Sequence, residues 1–382
     1  MPGCHRFVDG GSGLELNLPR GTCCGTAGRP ASSGRRGSYR AMLRSWGSRL
    51  DLTLLLLTCT LSADGAQLKR YEYSLPRMGT IFHIELYAPD DATASRAAEA
   101  AFARAEELEQ IMSDYREDSE LMRLAREGAR APFPASNDLY KVLAKSIRIS
   151  ELSHGAFDVT VGPLVALWRE ARTTGRFPDA SDLAKAKALV DYKFVELDST
   201  RHTVFLKRTG MKLDLGAIGK GYAADQMLAL LEKRGLRHAM VVAGGEVAIG
   251  APPPGAMGWK VAIDTADAKV GKTPCTLVLH DAALSTSGDS KQFVEINGKR
   301  YSHVINPSTG VALEGMASTT VLARDATTTD ALGTALSILP VADGIRLAES
   351  LPGVAVYMVR QTERGWKRYS SRRFPESCVA RN

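Results

Sequence analysis

An α+β fold is what the sequence predicts for most of this 382-residue chain, and three observations predict it. Apolar residues recur at helical spacing through much of the first half. Strand-like runs crowd the second half, one of them folded back at Asn297-Gly298. The two kinds of segment do not alternate as strand, helix, strand, so antiparallel sheets flanked by helices are expected rather than a doubly wound parallel sheet.

The folded part begins with a strand-like stretch over 71–87, interrupted at Pro76-Arg77-Met78-Gly79. Residues 92–112 are rich in Ala and Glu with apolar positions at helical spacing, and 137–152, 161–172 and the shorter 182–190 read as further helices. Strands are expected at 194–197, 203–206 and 212–215, and Gly219 opens a helix that reaches residue 234. More strands are expected at 239–242, 259–263 and 276–279. A hairpin then spans 293–305, its Asn297-Gly298 turn supplying the positive φ values that a two-residue loop needs. A strand at 318–323, helices at 330–339 and 341–351, and a strand pair over 354–369 complete the chain. The stretches 175–179 and 251–258 read as loops within the fold, and no repeat or linker stands out after residue 70.

The net charge of +7 invites a nucleic-acid reading, but its distribution removes the reason for one. Residues 1–70 hold ten Lys/Arg against four Asp/Glu, whereas the rest holds 39 against 38. A body so nearly neutral has no overall attraction for a phosphate backbone, so no nucleic-acid partner is expected. Residues 1–41 are rich in Gly, Arg, Ser and Pro without periodicity, and read as a disordered or misassigned leader. From Met42 the order changes to basic (Arg44, Arg49), apolar (50–61) and small (Ala63, Gly65, Ala66), the order of a secretory signal, and the apolar run is too short to span a bilayer. The expected organisation is therefore leader 1–41, signal peptide 42–66 and a folded domain over 71–382 in an exported protein. Cys59 only weakly resembles a lipid-attachment site, since Thr58 precedes it. Four of the six cysteines fall in the leader and signal peptide, leaving Cys275 and Cys378, which sequence alone does not pair.

Chemistry concentrates in a few segments. Leu213-Asp-Leu-Gly-Ala-Ile-Gly-Lys-Gly-Tyr-Ala223 has glycines that allow close backbone approach and a lysine at the mouth of a helix, which together suit a phosphate. Asp214 and Gly221 stand where a Walker A motif needs Gly and Ser/Thr. A Rossmann-like G-x-G-x-x-A is present at 219–224 with Glu246 downstream, but its flanks do not alternate strand and helix. Asp330 and Thr334, i and i+4 on a helix, stack a carboxylate and a hydroxyl, hard oxygen ligands that suit Mg²⁺; an acidic residue that merely favours the helix dipole reads equally well. His303 alternates with Tyr301 and Ile305, as a core histidine would. It also sits near a strand end before Asn306-Pro307, where it is the best proton carrier in the chain. Tyr115 lies in a polar loop between helices, placed to stack on a planar ring or to close a corner. No histidine pair or C-x-x-C supports zinc. The segments 155–168 and 243–246 read on their own as plain connections.

Taken in order, GAFDVTVGPLVALW, KLDLGAIGKGYAADQ, VVAGGEVAIG, LSTSGD, KRYSHVINPSTG and TTTDALGTALSIL resemble the ApbE-type FAD:protein FMN transferases, from about residue 71 onward. The resemblance implies that family's α+β architecture and transfer of the FMN half of FAD to a Thr or Ser hydroxyl of an acceptor flavoprotein, with Mg²⁺ and release of AMP. It implies FAD contacts at Met78, Tyr115, Ala156, Phe157, Asp158, Asp214, Lys220 and Val304, with Tyr115 on the isoalloxazine. It places magnesium ligands at Asp330, Thr334 and the carbonyl of Ala217, with Gly333 at another ligand-type position where the family more often has Ala. His303 or Asp214 would take the hydroxyl proton. Export would make the protein periplasmic or held on the outer side of the inner membrane, where the acceptor is also expected. Two other functions fit the same residues: an FAD pyrophosphatase using water, and a non-catalytic periplasmic flavin-binding protein.

Overall fold

A computed structural model describes residues 67–263, 275–288 and 293–379; the expectations placed on 1–66, leader and signal peptide, lie outside the described residues. The chain opens with a hairpin, β1 (Lys69–Arg77) and β2 (Thr80–Ala88), turning at Met78-Gly79 with φ of 47° and 72°. Two positive φ values match the twist of a two-residue loop. Gly79 adopts one without cost, whereas Met78 is held there by its surroundings, its N–H donating to Glu109 Oε2 at 3.0 Å. Glu109 belongs to α1 (Asp91–Met112), capped by Asp90, whose side chain accepts from the Thr93 N–H. Then come α2 (Glu120–Glu127), β3 (Phe133–Pro134), α3 (Asn137–Leu152), α4 (Gly162–Thr174) and α5 (Ala180–Lys187). The small strands β4 (Val195–Asp198) and β5 (Thr203–Leu206) join β3 in a three-stranded sheet with β5 at its centre.

The expected strand at 212–215 does not form among the described residues. The Asp214 N–H instead donates to the Val159 carbonyl at 2.8 Å, which ties this stretch to the loop before α4. The second half runs α6 (Gly219–Lys233), β6 (Ala239–Ala243), β7 (Glu246–Ile249), β8 (Trp259–Ile263), β9 (Cys275–Leu279), β10 (Ala282–Gly288), β11 (Phe293–Ile296), β12 (Lys299–Ile305), β13 (Ala312–Glu314) and β14 (Ala317–Ala323). It closes with α7 (Ala326–Ile338), α8 (Val341–Ser350), β15 (Ala355–Thr362) and β16 (Gly365–Ser370). The strands at β7 and β10 and the helix α2 carry no expectation from sequence. Helix α7 also starts four residues before the expected 330, which puts Asp330 in its second turn.

Eight strands form one sheet in the order β1-β2-β6-β7-β10-β14-β15-β16, antiparallel throughout. Its two faces read directly from residue alternation. Phe82, Ile84 and Leu86 of β2, Val241 of β6 and Val356 and Met358 of β15 point to the face covered by α1, α6 and α7. Val247 and Ile249 of β7, Leu284 of β10 and Tyr357 and Val359 of β15 point to the other, where β8 and β9 lie with Trp259, Val261 and Leu277. Each fully buried side chain of this size contributes roughly 1.5–3 kcal/mol. A smaller cluster around Trp168, Tyr301 and Ile305 joins α4 and α5 to the β11-β12-β13 sheet. Cys275 and Cys378 form a disulfide, with Cα atoms 5.3 Å apart.

Helices α6 and α7 approach more closely than side chains permit. A Cβ on Gly221 would stand 2.2 Å from the Ala326 carbonyl oxygen, so only glycine fits. The two helices also cap each other. Asp330 Oδ2 of α7 accepts the Gly221 N–H of α6 at 3.0 Å, while Asp225 of α6 accepts the Ala326 and Thr327 N–H groups of α7 at 2.7 and 2.8 Å. These are groups that a helix start leaves without an internal partner.

Candidate functional site

The first turn of α6, the loop before it, the turn between β6 and β7, the end of β12 and the second turn of α7 converge on one cleft of about 1000 Å³. Ile218, the residue before α6, offers no side-chain cap of its own, and the N-terminal dipole of the helix faces this space. Lys220 extends into it, donating to the Gly216 carbonyl at 2.7 Å and lying 3.8 Å from Asp330 Oδ2. Burial alone would lower the Lys220 ammonium; the carboxylates of Asp330, Glu246 and Asp214 outweigh it and hold the group above its ordinary range. The cation is therefore firmly protonated, as a partner for phosphate must be.

Asp214 sits at the same mouth. Its Oδ1 accepts the Gly216 N–H at 2.7 Å and its Oδ2 meets Arg169 at 3.2 Å. Burial, then the charge of Asp114, pushes its carboxyl up, which moves it toward a useful proton acceptor. Arg169 also holds Asp114 at 2.6 Å, and its guanidinium lies 4.2 Å from the centre of the Tyr115 ring. Tyr115 is thus fixed by a cation beneath it while 76% of it remains exposed, a flat aromatic surface presented to the cleft.

Twelve of the thirteen expected site residues line this cleft: Met78, Tyr115, Ala156, Phe157, Asp158, Asp214, Ala217, Lys220, His303, Val304, Asp330 and Thr334. Asp158 does so with its oxygens engaged, since it accepts from Thr160 N and Oγ1 at 2.8 and 2.6 Å and from Tyr192 N at 2.8 Å; it shapes the loop. Gly333 is the exception. It faces β10, where a Cβ would stand 2.5 Å from Ser287 Oγ, so packing against that serine explains the glycine. His303 is exposed, contrary to the core reading. An irregularity of register between Tyr301 and Ile305 breaks the alternation and turns it to the cleft.

Two participants fall outside the expected site residues. Arg169 looked like any charge on an amphipathic helix. Glu246 follows two glycines and looked like a turn residue, yet it begins β7 at 5% exposure. Its Oε1 lies 3.7 Å from Lys220 Nζ, and burial, then the neighbouring Asp330, raises its carboxyl to about 8. Among the described residues no three His, Cys, Asp or Glu side chains gather as a metal cage. A magnesium site does not require one, because that ion takes one or two carboxylates and completes its shell with water and phosphate. The donors at the mouth of α6 are all oxygen, with the Asp330 carboxylate among them, so they fit such an ion.

Comparisons with known proteins agree with this geometry. An FAD:protein FMN transferase of Vibrio cholerae is 32% identical over 337 residues, covering 87% of this chain and 98% of the relative. One of Haemophilus influenzae is 31% identical over 328 residues, 83% and 94% of the two chains. The solved structure of the flavin transferase ApbE from Vibrio cholerae superposes with a TM-score of 0.73 at 31% identity, covering 80% of this chain and 98% of that one. The apo flavinyl transferase ApbE of Pseudomonas stutzeri gives 0.72 at 27%, covering 82% and 98%. The family model described as the ApbE family matches residues 78–358, and the chain belongs to that family.

Proposed function

We infer that this protein splits FAD and transfers the FMN half to a Thr or Ser hydroxyl of an acceptor flavoprotein, releasing AMP. The observation that carries the reading is the single cleft in which Tyr115, Lys220, Asp214, His303 and Asp330 meet. Lys220 and the N-terminal dipole of α6 would bind the pyrophosphate, and Tyr115, backed by Arg169, would stack on the isoalloxazine. Asp330, Thr334 and the Ala217 carbonyl would hold Mg²⁺, which when bound offsets charge on the attacked phosphorus and the AMP leaving group. His303, exposed at the cleft wall, or Asp214, with its raised carboxyl, would take the proton from the attacking hydroxyl. The test is incubation with FAD, Mg²⁺ and candidate acceptor proteins, following acceptor mass and AMP together. Fast stoichiometric FAD hydrolysis, indifferent to every acceptor, would make the protein a pyrophosphatase; tight FAD binding without AMP would make it a flavin carrier.

Tyr115→Ala separates transfer from hydrolysis. Loss of the stacking surface is expected to weaken FAD binding by about 1–3 kcal/mol, the range for bases on aromatic side chains. It should also raise the share of FAD lost to water, because the ring would no longer shield the phosphorus. Flavin fluorescence and the ratio of AMP to labelled acceptor measure the two effects, and an unchanged affinity would remove Tyr115 from the site.

The same reading places the protein outside the cytoplasm, with the acceptor at the outer side of the inner membrane. The basic, apolar, small order over 42–66 and the Cys275–Cys378 bridge support this, since disulfides persist in oxidising compartments. N-terminal sequencing of exported protein is expected to find cleavage near Ala63 to Ala66. An intact leader in the cytosolic fraction would count against export.

A further inference from the structure

Glu246 is the residue of the cleft that the transfer reading leaves without work. It is locked in place: Gly244 and Gly245 form the two-residue turn between β6 and β7, Gly244 at φ 72°, and Glu246 is paired with Ala243 on one side and Ser285 on the other. At 5% exposure it cannot relax into water. Its Oε1 faces Lys220 at 3.7 Å, but its buried Oε2 has no hydrogen-bond partner among the described residues. Such an orphaned carboxylate oxygen is costly unless something is meant to meet it.

The surrounding charges say what that is. Asp214 shares Arg169 with Asp114, and Lys220 is left to serve both Glu246 and Asp330, the latter 2% exposed. One cation between two buried carboxylates can balance only one of them in its ionised form. Asp330 Oδ2 is engaged with the Gly221 N–H, and Thr334 and Ala217 line the same cleft. Lys220 cannot supply the missing charge twice.

We propose that Glu246, through Oε2, provides the second carboxylate of the divalent-cation site, beside Asp330, Thr334 and the Ala217 carbonyl. This rests on the transferase reading for the presence of a cation, and it assigns to that cation a residue from a different strand. Hard divalent ions take such an all-oxygen set readily. The two carboxylates come from β7 and α7, so the site would join the sheet to the helix that packs on it.

Mn²⁺ serves as the probe, its binding to the full chain measured by electron paramagnetic resonance with and without FAD. E246Q keeps the shape and removes the charge. It is expected to weaken Mn²⁺ binding at least about tenfold, the lower end of what even outer partners of a bound metal cost. In EDTA the same variant should bind FAD as well as wild type, because the cation that Glu246 serves is absent from both. If Glu246 merely steadied Lys220, E246Q would weaken metal-free FAD binding and leave Mn²⁺ affinity unchanged, and unchanged Mn²⁺ affinity overturns the proposal. Should E246Q fail to fold, E246D takes its place: withdrawing the oxygens by one methylene should weaken Mn²⁺ binding, and wild-type affinity would again overturn it. Wild-type protein that binds no Mn²⁺ beside FAD would instead overturn the cation reading itself.

Discussion

Asp330→Asn is expected to slow FMN transfer by about 10²–10³, the cost of removing one electrostatic donor from a reacting centre, roughly 3–4 kcal/mol. The asparagine carbonyl can still accept the Gly221 N–H, so the cap on α6 and the melting temperature should survive. What disappears is the charge that faces Lys220 at 3.8 Å and would hold Mg²⁺. Extra Mg²⁺ should therefore restore the rate only in part. Acceptor labelling across a magnesium titration measures this. Undiminished transfer by EDTA-treated wild type would refute a metal role for Asp330 altogether.

Gly221→Ala should fail for a steric reason. The new methyl would stand 2.2 Å from the Ala326 carbonyl oxygen and 2.9 Å from Asp330 Cβ, and the first of these is backbone with no rotamer to change. Overpacking of this kind costs about 1–3 kcal/mol. Here it must also push α7 off α6 and break the exchange of caps among Gly221, Asp330, Asp225, Ala326 and Thr327. A lower melting temperature together with loss of transfer is expected. Alanine at Gly235, where no atom lies within 4 Å, is the control: its φ of 83° makes the substitution strained, but it should not affect the cleft. A fully active, fully stable Gly221→Ala would show that the two helices need not touch.

Much of this architecture was legible because local and tertiary preferences agree. The helix at 137–152 and the strand at 259–263 match their expected bounds, and Ser136 caps the helix by accepting from the Leu139 N–H. Strand β10 was not legible. Ala282–Gly288 has few residues that favour a strand, and it is extended because β7 and β14 flank it, with Thr286 bonded to Thr320 across the sheet. Strand β7 is apolar but only four residues long between glycines, too short for a period to show. The site divides the same way. Lys220 and Asp330 stand in segments whose composition suggests an anion and a cation, whereas Arg169 and Glu246 acquire meaning only when α4 and β7 are brought to α6. The exposure of His303 depends on a local break in pairing that no alternation rule could reveal.

The ribbon of β8 and β9 forms one wall of the cleft through Lys260, Val261 and Ala262, and two strands alone are marginal in water. Its first residue in β9 is Cys275, joined to Cys378 in a segment that also stacks Phe374 on Tyr357 of the central sheet. The bridge closes a loop of 103 residues, a constraint that removes much of the freedom of the unfolded chain. That wall is consequently stapled to the body by a covalent bond whose persistence depends on the redox poise around the protein. In a reducing compartment the ribbon would keep its apolar underside but lose its tether, and the boundary of the cleft on that side would become the softest part of the fold.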